Sequence, residues 1–193
     1  MSESEHSMSV VSQHDNTKLA VWVFLGGEVV FFATLILTFL WVRLQNWTTY
    51  GEFTSHLSIP LIAANTFVLI ASSYMVVRSL EAIRAGNPVG LRNNMIVVIV
   101  LGALFLGGQA FEWTTLFREG VGITSTFGTP FFTVTGIHGT HVFVGLIWAV
   151  VVLINNRRGA FTEHEHRGME LFGLYWHFVD IVWIVLFTVI YLI

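Results

Sequence analysis

Long apolar runs separated by short polar connections dominate the chain from residue 19 onward. Five of them, over residues 19–44, 59–80, 95–117, 131–154 and 171–193, meet the roughly 20 residues that a helix needs to cross a hydrocarbon core of about 30 Å. Charged and titratable side chains interrupt them rarely. The first carries Glu28 and Arg43, the fifth His177 and Asp180, and no Asp, Glu, Lys or Arg lies between Gly120 and Asn156. Backbone groups in lipid must be satisfied within their own segment, so the runs read as helices. The alternating pattern of a membrane barrel is absent. Turn signals punctuate the connections: Ala85-Gly86-Asn87-Pro88, then Gly120, Gly122, Gly128 and Pro130, then Asn155-Asn156-Arg157-Arg158-Gly159. The expectation is an all-α polytopic membrane protein: one five-helix domain over residues 19–193, without internal repeats, after a mobile polar tail over 1–18.

Composition sharpens this picture. Of 193 residues, 54% are hydrophobic and only 11% are charged, against roughly 25% charged in soluble domains. A compact soluble fold is excluded. The absence of Cys removes disulfides, thiolate metal sites and thiol-ligated copper centres. With a net charge of −3 and no basic block, nucleic acid is not an expected partner. The tail lacks the basic start and apolar core of a signal peptide and reads as retained.

Charge placement orients the helices. Lys18, Arg78, Arg84, Arg92, Arg157, Arg158 and Arg167 flank one side, whereas Arg43 and Arg118 flank the other. The positive-inside bias places the N-terminus in the cytoplasm and the C-terminus outside. Trp41, Trp47, Tyr50 and Trp113 then read as headgroup-level anchors on the outer side.

Ionisable groups at membrane depth cost several kcal/mol each and call for a partner or a purpose. At 1.5 Å per residue, Glu28 and Asp180 lie about 14 Å along their spans and His141 about 18–20 Å from the inner end of its own, all near the midplane. Mutual hydrogen bonding among them is expected, facing protein rather than lipid. His138 and His141 share one helix face, and His177 and Asp180 repeat that spacing. Such pairs can hold a proton, orient a ring or ligate a metal, and a structural polar contact carries equal weight. Haem ligation by His138 or His141 opposite His177 stays open as a minor alternative. Gln109 reads as bonding another helix, and Glu112, about 26 Å along span three, as lying at the outer interface where a carboxylate is cheap. Ala103, Gly107 and Ala110 form a small-residue stripe suited to close helix approach. Glu163-His164-Glu165-His166, His6 and His14 read as solvated. No phosphate loop, dinucleotide fingerprint or nucleophile elbow occurs, so no catalytic residue is expected in the chain itself.

Taken in order, four segments carry a resemblance: Gly26-Gly27-Glu28-Val29-Val30-Phe31-Phe32; Gly108-Gln109-Ala110-Phe111-Glu112-Trp113; the stretch from Phe127-Gly128-Thr129-Pro130 through Ile137-His138-Gly139-Thr140-His141; and Tyr175-Trp176-His177-Phe178-Val179-Asp180. Over residues 19–193 the chain resembles subunit III of the haem–copper terminal oxidases, in the short five-helix form. It lacks the first two helices of seven-helix members, where those helices frame a lipid cleft, and another subunit's helices could take their place. The resemblance implies an accessory chain in the cell inner (plasma) membrane that holds neither haem nor copper, both being expected in partner subunits. It implies packing on subunit I, with subunit II, membrane lipids, cytochrome c through the complex and a respiratory supercomplex as further partners, and phospholipid as a bound ligand. The complex would oxidise cytochrome c, reduce oxygen and translocate protons. The residues match cytochrome c oxidases more than quinol oxidases; quinol oxidase and nitric oxide reductase relatives are the alternative. By the same resemblance Glu28 is the buried carboxylate linked to proton uptake. His138, His141, His177, Asp180, Gln109 and Glu112 form the expected intramembrane polar network.

Overall fold

The computed structural model describes the backbone from Glu3 and the side chains from Asn16 to Ile193. The polar tail expected over 1–18 therefore lies, up to residue 15, outside the residues whose side chains are described; so do His6 and His14. Helices account for the fold: α1 (Glu3–Gln45), α2 (Trp47–Ser55), α3 (Ile59–Arg84), α4 (Pro88–Arg118), α5 (Gly128–Arg157) and α6 (Arg167–Phe187), the last continuing into a π-helical turn, Thr188–Leu192. Five are long and apolar enough to cross a membrane: residues Asn16–Gln45 of α1, then α3, α4, α5, and α6 with its π-turn. Each observed helix overruns its apolar stretch into the polar flanks, since capping rather than hydropathy sets the ends. Gly86 and Gly159, at φ +67° and +72°, let α3 and α5 stop. The N–H groups of Asn87 and Ala160 then return to the carbonyls of Ala82 and Asn155, satisfying the last turn.

The helices α3, α4, α5 and α6 close a ring in which each packs on the next and α6 returns to α3. α1 lies outside the ring, against α5 and α6. Burial follows this order: half of the α6 span is enclosed but only 17% of the α1 span. On α4 the buried side is Leu91, Met95, Val98, Gly102, Phe105, Gln109, Glu112 and Leu116, alternating four- and three-residue steps as in a knobs-into-holes seam. The opposite face is as apolar: Val97, Val100, Leu104 and Phe111 are exposed, as suits lipid contact.

Trp176 is the centre of the ring. A Cβ on Gly102 of α4 would meet its indole at 3.1 Å, and one on Gly145 of α5 at 2.7 Å. Its Nε1 donates to Ser72 Oγ of α3 at 3.0 Å. One α6 side chain thus touches all three other helices of the ring. Close approach on α4 uses Gly102 and Gly108, the latter against Asn65. The expected stripe of Ala103, Gly107 and Ala110 instead faces outward.

Polar clamps mark the two ends. At the basic end Glu170 of α6 pairs with Lys18 of α1 (3.2 Å) and Arg84 of α3 (2.8 Å). At the other end Arg43, 4% exposed, donates to the carbonyl oxygens of Val189 and Ile193, where the negative end of the α6 dipole favours a cation. Tyr50 lies beneath Arg43, with the guanidinium 4.4 Å from its ring centroid. The Tyr50 hydroxyl donates to the carbonyl of Ile190 at 2.9 Å. The expected headgroup anchor at Tyr50 is thus a buried strut, on a short helix that the hydropathy pattern does not announce. Trp41 and Trp47 are exposed.

Candidate functional site

The midplane groups separate into an outer pair and an inner set. Between α1 and α5, Glu28 Oε2 lies 3.2 Å from His141 Nε2, and both side chains are about four-fifths enclosed. His141 Nδ1 lies 2.9 Å from the carbonyl oxygen of Ile137 on its own helix. A carbonyl only accepts, so Nδ1 carries a hydrogen. Nε2 then bonds to Glu28 only when one proton sits between them, on the carboxyl or on the ring. With that one proton shared and no other added, the pair carries no net charge, the cheapest form for two ionisable groups at membrane depth. Phe32 packs edge-on to the ring at 5.0 Å, and the Tyr175 hydroxyl donates to the His141 carbonyl at 2.9 Å. A groove of about 390 Å³, lined by Val21, Phe24, Thr140, His141, Val144, Trp148 and Tyr175, opens beside it.

Asp180 does not join this pair. It projects from α6 into the ring, 4% exposed, and neither oxygen is in a hydrogen bond of standard geometry. Its neighbour one turn earlier, His177, places Nδ1 2.5 Å from Ser73 Oγ on α3. His138 is fully enclosed, stacked on Trp183 at 4.9 Å and edge-on to Phe105 at 6.0 Å, with both nitrogens unbonded.

Nearer the Arg43 end, Gln109 Nε2 donates to Glu112 Oε2 at 3.0 Å, and the Tyr191 hydroxyl donates to the same oxygen at 2.7 Å. Glu112 is 2% exposed. Its depth places it near the membrane surface, but the ring encloses it, so the expectation of a cheap interfacial carboxylate is corrected. Gln109 bonds within its own helix, and Tyr191 makes the cross-helix contact instead. In the fourth connection, His166 joins Glu170 at 3.3 Å and Thr162 closes a turn onto Glu165.

The histidines weighed as haem ligands are placed differently. Both His141 nitrogens are engaged, His177 Nδ1 is taken by Ser73, and aromatic rings cover the His138 faces. Among the described residues no three His, Cys, Asp or Glu side chains gather as a metal site would require. Ser73, Tyr191 and Arg43 are the contributors that sequence reading missed. The Ser72-Ser73 pair inside an apolar span was the available signal.

A model of the protein family described as cytochrome c oxidase subunit III matches residues 2–193. The chain is 37% identical over 176 residues to a quinol oxidase subunit 3 from Bacillus spizizenii, covering 90% of this chain and 85% of that protein. It is 35% identical over 191 residues to a cytochrome c oxidase subunit 3 from Alkalihalophilus pseudofirmus, covering 97% and 91%. A cytochrome c oxidase subunit 3 from Thermostichus vulcanus is 36% identical over 178 residues, covering 90% and 86%.

Proposed function

Since the chain belongs to the cytochrome c oxidase subunit III family of haem–copper oxidases, we propose that it serves as the accessory, non-redox subunit of an oxidase that takes electrons from cytochrome c. It packs on subunit I, supports its stability, and assists proton uptake through Glu28. The complex, with its haem and copper in partner subunits, lies in the plasma membrane and couples oxygen reduction to proton translocation. The Lys18–Arg84–Glu170 end faces the cytoplasm, in keeping with the positive-inside rule. The observation that carries the proton role is the Glu28–His141 contact, a unit that holds one proton whichever partner bears it and that adjoins a groove at the α1–α5 surface. Transfer within such a unit needs no net charge at the midplane.

Glu28→Gln tests this role. The amide can still donate to His141 Nε2, so the complex should assemble with unaltered haem content, while proton uptake slows and activity decays several-fold sooner during turnover. Proton uptake and endurance both equal to wild type would reduce Glu28 to a structural contact. Quinol as donor is the second reading, favoured by the relative from Bacillus spizizenii. Oxygen consumption by the purified complex on reduced cytochrome c against reduced quinol separates the two.

A further inference from the structure

Asp180 is the membrane-depth carboxyl that the proposed role leaves unused. Its surroundings are unlike those of Glu28. Both oxygens are buried without a hydrogen-bond donor in standard geometry, and an enclosure of this kind holds a neutral carboxyl far more cheaply than a carboxylate. The Ser73 hydroxyl on α3 is a polar group within reach of it, and the same hydroxyl lies 2.5 Å from His177 Nδ1. His177 in turn lines a groove of about 470 Å³ bounded by residues of α1, α3 and α6. Trp22, Val77 and Leu80 wall the groove, and Lys18, Arg84 and Glu170 carry the charge at the basic end. Glu170, Gly173, His177 and Asp180 follow one another at three- and four-residue steps. One stripe of α6 therefore runs from the charged end to the buried acid, and Gly173 leaves the groove unfilled at its middle.

We propose that Asp180 is a second proton-exchange site of the chain, served from this groove through His177 and Ser73 and separate from the Glu28–His141 pair. This goes beyond the accessory role and does not depend on the electron donor. Loading moves one proton and no electron. His177 gains a proton at Nε2 from a hydrated proton in the groove and releases the one on Nδ1 to Ser73 Oγ. The proton that Ser73 already held then completes the Asp180 carboxyl, and the reverse sequence empties the site.

Infrared spectroscopy on the assembled oxidase in H2O and D2O reads both halves of the proposal. The carbonyl-stretch band of a protonated carboxyl should vanish in Asp180→Asn, move in Asp180→Glu and persist in Glu28→Gln. Its deuterium shift should develop several-fold more slowly in Gly173→Leu, which fills the groove, and in His177→Phe, which removes the relay. An Asp180→Asn spectrum that loses no such band overturns the site. Should that variant fail to assemble, an unmoved band in Asp180→Glu does the same. Exchange as fast in both Gly173→Leu and His177→Phe as in wild type overturns the route. Failure of the Glu28 role would appear instead in the uptake and endurance of Glu28→Gln, with the Asp180 band intact.

Discussion

Single side chains carry most of the polar economy of this bundle, and Tyr50 shows how. Its hydroxyl satisfies the Ile190 carbonyl, one of the acceptors left over where α6 gives way to the π-turn. Its ring supports the Arg43 guanidinium, a contact that depends on the face of the aromatic system. Tyr50→Phe keeps the ring and deletes one hydrogen bond, so it should cost about 1 kcal/mol of stability, read as a lower melting temperature of the purified complex. Burial pushes the Tyr50 phenol above its ordinary value of 10.0, with Arg43 pulling the other way. The folded state thus favours the neutral phenol more than the unfolded chain does. The strut's contribution is complete below the ordinary value and is lost as pH rises through the raised one. Melting temperatures across that alkaline range should fall more steeply for wild type than for Tyr50→Phe; parallel curves would refute the strut. The same scale shows what sequence could supply. Depth along a helix follows from residue number, which put Glu28 and His141 at one level. Azimuth does not, so Asp180 at that level was expected in the same network, although it points into the ring while Glu28 lies on the outer helix.

Elements obey a different legibility. The five membrane-crossing helices stand out because lipid leaves no polar face on which to economise, so their apolar runs are continuous. For the same reason hydropathy hides which side of each helix is inward: on α4 the exposed Val97 and Leu104 are no less apolar than the buried Val98 and Phe105. Packing volume decides instead, through Trp176 against Gly102 and Gly145. Small residues let helices approach in lipid, where the hydrophobic effect gives no drive to associate. Gly145→Val would push a branched side chain into an indole that a bare Cβ already approaches to 2.7 Å. The expected cost is about 1–3 kcal/mol, seen as reduced accumulation and a lower melting temperature of the complex. Gly107→Val on the outward face, where nothing lies within 4 Å, should leave the isolated bundle unaffected. Equal losses at the two positions would contradict the packing described. The helix α2 escaped notice because nine residues with two buried aromatics, Tyr50 and Phe53, resemble an interfacial connection until the bundle end that they cover is known.

For the molecule as a whole, the ring of four helices with α1 on its flank leaves extensive apolar surface, as lipid and a membrane partner require. Its polar interior closes helix ends and holds titratable side chains between helices, His141 against Ile137 and Glu28 and His177 against Ser73. As proposed, the chain works as an accessory subunit whose redox chemistry resides in its partners. Purification of the tagged chain in mild detergent, with reduced-minus-oxidised spectra before and after a harsher wash, tests this directly. The accessory role predicts oxidase haem bands that arrive with large partner subunits and depart when those subunits are stripped away. A haem band that stays stoichiometric with the bare chain would contradict it.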